Sequence, residues 1–79
     1  MKLSPNPFID IIIAELGEVE SFPVDMIITS LAGEHIHHDR IFTSKKIVDL
    51  SNLSPNLYRI ELKSDDQVLH EGFYRKIEE

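Results

Sequence analysis

The sequence has no cysteine and few basic residues, and both shortages narrow what the chain can do. Without cysteine it forms no disulfide, no thiolate metal site and no cysteine nucleophile. Its 8 Lys and Arg residues stand against 14 Asp and Glu residues, which gives a net charge of -6 at pH 7. Because Lys and Arg supply the affinity for phosphate backbones, this balance argues against a nucleic-acid partner.

Long hydrophobic runs are also missing. The longest apolar run, residues 11–14, is far shorter than the roughly 20 residues of a membrane-spanning helix. Residues 1–3 do not begin a signal peptide, because no apolar stretch of about 7 or more residues follows them. Hydrophobic residues nevertheless make up 42% of the 79 residues, so we expect one domain with a thin core.

Short segments rich in β-branched residues run through the chain and are separated by turn signals. We predict strands over residues 8–16, 24–31, 34–42, 47–50, 58–63 and 68–77. Ala32 and Gly33 are typical of a tight hairpin turn, and Ser54, Pro55 and Asn56 of a compact loop. Six or seven short strands without a segment of helical character predict an all-β sandwich or barrel.

The clearest period of two lies in the second half of the chain, where three apolar residues alternate with three charged ones: Tyr58, Ile60 and Leu62 against Arg59, Glu61 and Lys63. This alternation places Tyr58 on a buried face, with its hydroxyl reaching a loop backbone at the rim of the core. Phe73 and Tyr74 face opposite ways in a regular strand, so we expect one of them to be exposed.

One cluster has the residue types of a metal site: His35, His37, His38 and Asp39. In an extended strand His35 and His37 share a face, and His38 points to the other face unless a bulge intervenes. A zinc site uses about three or four protein ligands, and His70 lies on a different predicted strand. We therefore favour solvated histidines on an exposed strand face and expect no metal.

The residue types of a nucleophilic triad occur in Ser51, Asp49 and His70, but no nucleophile-elbow pattern surrounds the serine. Capping of the loop by Ser51 and Asn52 through local hydrogen bonds is the better interpretation. The two aspartates at 65–66 are typical of a hairpin turn, since no calcium-loop pattern follows them. We expect no enzyme, no cofactor and no small-molecule substrate.

Several short motifs resemble one family when they are taken in order. They are Pro5-Asn6-Pro7, residues 24–36 around Leu31-Ala32-Gly33, residues 47–53 (IVDLSNL), residues 55–60 (PNLYRI) and residues 75–77 (RKI). Together they resemble the type A C-terminal sorting domain of the type IX (Por) secretion system of Gram-negative bacteria. Asn56 stands where that family has glycine, and asparagine enters the left-handed region more readily than other non-glycine residues.

The resemblance implies a small immunoglobulin-like antiparallel β-sandwich over residues 1–79, carried at the C-terminal end of a longer precursor. Such a domain is non-catalytic and directs the secreted cargo on its N-terminal side to the cell surface or medium. The implied partners are the outer-membrane translocon, a sortase-like peptidase that removes the domain, and the N-terminal cargo domain itself. The implied route crosses the inner membrane with a separate signal peptide, then the periplasm and the outer membrane.

Two sets of residues are candidates for this role. The segments read or clipped by the machinery are expected to be Pro5, Asn6 and Pro7 together with Phe73, Tyr74, Arg75, Lys76 and Ile77. The residues that maintain the fold around the loop are expected to be Asp49, Leu50, Leu53, Asn56 and Tyr58, with Leu50 and Leu53 closing one end of the sandwich.

Two other functions remain open at this point. An adhesive or carbohydrate-binding β-sandwich would present at least two coplanar exposed aromatic side chains on one sheet face. A stand-alone cytosolic β-domain that pairs through its exposed edge strands would need Met1 to be the true start of the protein.

Overall fold

A computed structural model describes residues 1–19 and 22–78. Its regular elements are β1 (Lys2–Ser4), β2 (Ile11–Glu15), β3 (Val24–Ser30), β4 (His35–Ile41), β5 (Lys45–Asp49), β6 (Asn56–Ser64) and β7 (Gln67–Lys76). They form two antiparallel sheets, with strand orders β1-β2-β5 and β4-β3-β6-β7. The prediction of a small all-β sandwich is confirmed. Within the described residues there is no helix long and apolar enough to cross a membrane.

The core lies between the sheets and follows from the alternation of apolar residues. Met26 pairs with Leu62 and Ile28 with Ile60 across β3 and β6, and all four side chains are fully buried. The three-stranded sheet covers them with side chains that include Ile12, a residue with no exposed surface. Burial of each large aliphatic side chain contributes about 1.5 to 3 kcal/mol, which is how so small a domain offsets its conformational entropy.

One open side of the sandwich is closed by the chain itself. After β1 the chain leaves the three-stranded sheet, and Phe8 pairs in parallel with Lys76 at the edge of the other sheet. The Phe8 amide donates to the Arg75 carbonyl at 2.9 Å, and the Ile77 amide donates to the Phe8 carbonyl at 2.9 Å. The strand predicted over residues 8–16 is therefore divided between the two sheets, with only Ile11–Glu15 forming β2.

The opposite side is closed by a pair of charges. Lys46 on β5 and Asp39 on β4 lie on the edge strands of the two sheets, and Lys46 Nζ is 3.0 Å from Asp39 Oδ1. The same ammonium group donates to the Arg40 carbonyl at 3.2 Å. Charges that point inward from edge strands hinder the addition of a foreign strand. The sequence predicted a strand over residues 47–50, whereas β5 begins at Lys45 and therefore includes Lys46.

A bulge in β4 corrects the predicted arrangement of the histidines. His37 lies opposite Ile28 and His35 lies opposite Thr29, so Ile36 is an extra residue without a partner of its own on β3. Because Ile28 and Thr29 point to opposite faces, His35 and His37 do so as well. The prediction that these two histidines share a face is wrong, and the bulge is the reason.

The turns agree with the sequence at two places and differ at a third. Gly33 has a φ of 91° in the β3–β4 turn, and Asp65 has a φ of 54° in the two-residue β6–β7 turn. The expectation of a left-handed Asn56 is wrong, because Asp65 is the one non-glycine residue with positive φ among those described. Asn56 is instead the first residue of β6 and pairs with Lys76, which requires extended backbone.

Candidate recognition surface

The side chain of Asn6 connects the entry segment, residues 5–10, to the last strand. Pro5 and Pro7 have no backbone N–H, so this segment cannot pair as an ordinary strand. The Asn6 amide takes over that role: its Nδ2 donates to the Phe73 carbonyl at 3.1 Å, and its Oδ1 accepts the Arg75 N–H at 3.2 Å. The structure therefore brings together the two segments that the resemblance marks, residues 5–7 and 73–77.

The last strand divides these candidate residues between its two faces. Phe73, Arg75 and Ile77 point outward, and the Phe73 side chain is 57% exposed. Tyr74 and Lys76 point inward and are only 7% and 5% exposed. The expectation that Phe73 and Tyr74 face opposite ways is confirmed. In the folded domain the outward residues are the ones that a partner can contact, because the inward residues are buried.

The inward residues hold the strand in place. The Tyr74 hydroxyl is 2.8 Å from His70 Nε2, and burial raises the pKa of this phenol above its ordinary value. Gly72 leaves room for the same ring, since a β-carbon there would lie 3.2 Å from Tyr74 Cε1. Opposite Tyr74, the buried Tyr58 donates from its hydroxyl to the Ser54 carbonyl at 2.6 Å, the rim contact that its alternation predicted.

The loop after β5 packs at the same corner of the sandwich, where the entry segment meets the end of β7. Leu50 is fully buried, and its amide donates to the Asp10 carbonyl at 2.8 Å, which fastens the loop to the entry segment. Asp49 Oδ1 accepts the Ser51 N–H at 2.9 Å, and this backbone hydrogen bond lowers the pKa of the carboxyl. Leu53 is half-buried against the core. The carboxyl of Asp49 thus caps the loop, and it is hydrogen-bonded by both the backbone and the side chain of Ser51.

The three motif regions meet around one shallow pocket of about 240 Å3. It is lined by Ile9 and Asp10 from the entry segment, Ser51 and Leu53 from the loop, Lys76 at the end of β7, and Ile77 and Glu78 directly after it. Sequence reasoning did not name Ile9 or Asp10. Their position directly after Pro5-Asn6-Pro7 was the available signal, because a segment clamped at Asn6 carries its next residues into the same corner.

The alternative chemistries find no assembled site. His70 lies opposite Leu62, toward the other end of β7 from the corner that Ser51 lines, so the triad residues do not meet. Across the described residues no three His, Cys, Asp or Glu side chains are placed to hold a metal ion. The exposed phenylalanines are Phe22, Phe42 and Phe73, and no ring contact joins any two of them among the described residues.

These features define a small β-sandwich that displays a corner built from both of its terminal segments. A family model described as "Secretion system C-terminal sorting domain" matches residues 2–74. The chain belongs to that family, the C-terminal sorting domains of type IX secretion, and the resemblance seen in the sequence is confirmed. No curated protein and no solved structure matches the chain.

Family membership fixes the role at a coarse level. The domain is a C-terminal tail that marks a cargo protein for type IX export to the cell surface or medium, and domains of this family are non-catalytic in general. The match ends at Tyr74, so Arg75, Lys76 and Ile77 lie beyond it.

Proposed function

We propose that this domain directs a cargo protein, joined to its N-terminal side, from the periplasm through the outer-membrane translocon of the type IX system. A sortase-like peptidase then separates the cargo from the domain, which itself performs no chemistry. In this proposal residues 1–79 form a single sorting domain at the end of a longer precursor. Family membership supports the proposal, and so does the corner at which the two terminal segments meet.

The observation that carries the proposal is the hydrogen-bonded connection from Asn6 to Phe73 and Arg75. It joins the segment nearest the cargo to the last strand of the domain. A receptor that contacts this corner therefore contacts both segments in one fixed geometry. Export machinery that must distinguish a folded sorting domain from any other β-sheet gains specificity from such a composite surface, because an unfolded tail does not present it.

The outward side chains have suitable chemistry for a protein partner. Aromatic residues and arginine are enriched in protein interfaces, and Phe73 and Arg75 supply one of each on neighbouring outward positions of β7. Ile77 and Ile9 add partly exposed apolar surface beside them. In this proposal Tyr74 and Lys76 position the strand from the inner side, and the partner does not touch most of their surface.

The test places residues 1–79 behind a signal peptide and a fluorescent reporter in a bacterium with a working type IX system. The chain offers a matched pair of substitutions, Phe73→Ser and Phe42→Ser, since these residues are 57% and 65% exposed, the first on β7 and the second directly after β4. We expect the unmodified tail and Phe42→Ser to export the reporter, and we expect Phe73→Ser to export markedly less. Deletion of residues 73–79 should abolish export.

A translocon-deficient strain separates the parts of the proposal. Reporter that stays in the periplasm of both strains contradicts the sorting function itself. Export that depends on the translocon but is equal for Phe73→Ser and Phe42→Ser, and survives deletion of residues 73–79, contradicts the recognition surface and leaves the function standing. Removal of the domain is measured from the mass of the exported reporter, which should be lower than that of the full fusion by about the 9.1 kDa of this chain.

A further inference from the structure

The β4 bulge brings two histidines together on the outer face of the four-stranded sheet. Without it, His35 and His38 would lie on opposite faces, because they are three positions apart in the strand. With Ile36 as the extra residue, the His35 and His38 ring centroids are 6.2 Å apart and their planes are tilted by 58°. Both side chains are exposed, so the pair is open to solvent.

A carboxylate orients one of these rings. His38 Nε2 lies 3.0 Å from Asp25 Oδ1, and Arg40 Nε donates to the same oxygen at 3.2 Å. Because a carboxylate only accepts hydrogen bonds, Nε2 of the His38 ring carries the proton, and Nδ1 of the neutral ring keeps a free lone pair. Metal-bound histidines commonly donate their second nitrogen to a carboxylate in this way, which fixes the tautomer and the ring orientation.

We propose that His35 and His38 bind one divalent cation of the class that prefers imidazole, represented by Zn2+ and Cu2+, with water in the remaining positions. For a tetrahedral ion with Zn–N bonds of about 2.0 to 2.1 Å, the two ring centroids would lie about 5 Å apart. The observed centroid separation of 6.2 Å must therefore shorten by roughly 1 Å, and the exposed His35 ring can move by that amount. This site is independent of the sorting function.

The site has two protein ligands and differs from a structural zinc site in that respect. No third His, Cys, Asp or Glu among the described residues completes the site, so the ion would bind at the surface and would not hold the fold together. Two imidazole nitrogens give the order of affinities expected for nitrogen ligands, with Cu2+ bound more tightly than Zn2+.

The test titrates Zn2+ alone into the 79-residue chain, prepared without a polyhistidine tag, and follows binding by calorimetry and by backbone amide NMR. We expect saturable binding of one ion per chain, with shifts confined to residues around 25, 27–29 and 35–38. His35→Ala and His38→Ala should each weaken binding at least tenfold. His37→Ala and His70→Ala are matched controls, since they remove a histidine at other places, and they should leave binding unchanged.

Asp25→Asn tests the orienting contact without removing a ligand, and loss of such a contact typically weakens metal binding by about 10 to 100-fold. The amide spectrum of each metal-free variant checks that the fold is intact. Absence of saturable binding by the unmodified chain overturns the proposal. So does binding that His35→Ala and His38→Ala leave unchanged, or binding that the two control variants weaken to the same degree.

Discussion

The Arg75 backbone amide donates a hydrogen bond of 3.2 Å to the side-chain oxygen of Asn6, a residue 69 positions earlier in the chain. The nitrogen of the same side chain donates to the Phe73 carbonyl. One asparagine thus pairs with the edge of β7 as a peptide group of a neighbouring strand would. This explains why an asparagine between two prolines lies at the entry to the fold, where the backbone has lost its own donors.

Replacing Asn6 by alanine should lower the free energy of unfolding by about 1 to 3 kcal/mol, since two hydrogen bonds are lost at about 0.5 to 1.5 kcal/mol each. Asn6→Asp should cost at least as much, because a carboxylate accepts from Arg75 but faces the Phe73 carbonyl without a proton to donate. Urea unfolding measures both values. Asn52→Ala is the control, as Asn52 is exposed in a loop, and equal losses for Asn6→Ala and Asn52→Ala would contradict this account.

The two leucines of the loop after β5 should differ in their contribution to stability. Leu50 has no exposed surface, so Leu50→Ala should cost about 2 to 5 kcal/mol, enough to leave so small a domain largely unfolded at 37 °C. Leu53 is only half-buried, and we expect about 1 to 2 kcal/mol for Leu53→Ala. Thermal unfolding compares them. A larger loss at Leu53 would show that the loop closes the sandwich end in a different way.

His37 should be a site where replacement stabilises the fold. Its Nε2 is buried and has no hydrogen-bond partner among the described residues, and an unsatisfied buried group costs about 1 to 3 kcal/mol. His37→Val removes that group and suits a strand, so we expect a higher melting temperature. His38→Val is the matched control, because it removes the contact with Asp25 and should not stabilise. A melting temperature that falls in His37→Val would refute this expectation.

Stability should fall in acid in part through Asp25. A hydrogen bond from His38, and to a lesser degree the charge of Arg40, hold the pKa of this carboxyl below its ordinary value of 3.8. A carboxyl with a lowered folded pKa stabilises the protein above its ordinary pKa, and this contribution is lost as the pH falls below about 3.8 through the folded value. Asp25→Asn should therefore show a shallower decline in melting temperature over that window. An unchanged decline would assign the acid sensitivity to other carboxyls.

The contact between Lys46 and Asp39 should couple the two sheets. Both side chains are partly exposed, so we expect a coupling of about 0.5 to 1 kcal/mol, as is usual for such pairs. A double-mutant cycle with Lys46→Met and Asp39→Asn isolates that value from the effect of each substitution alone. A coupling of zero, insensitive to salt, would mean that packing alone closes this side of the sandwich.

Local patterns in the sequence were sufficient for much of the fold. The alternation of Tyr58, Ile60 and Leu62 predicted β6 and its buried face, and Gly33 marked the turn between β3 and β4. Both signals depend only on residues close together in the sequence, so they do not require knowledge of which strands pair. The family resemblance also located the segments that the fold brings together.

Other features depend on register, which local patterns do not contain. The bulge at Ile36 places His35 and His37 on opposite faces, yet every residue around it is compatible with an unbroken strand. Asn56 has the chemistry of a left-handed residue, but its pairing with Lys76 requires extended backbone. The partners of Asn6 are on β7, so its role is visible only once that strand is placed.

The parallel pairing of Phe8 with Lys76 also has a mechanical consequence. The entry segment and β7 run in the same direction, so a pulling force between the two ends of the domain acts along both of them. Such a force loads their hydrogen bonds in shear, and the bonds must break together instead of one at a time. This arrangement should help the domain stay folded when a force pulls its two ends apart.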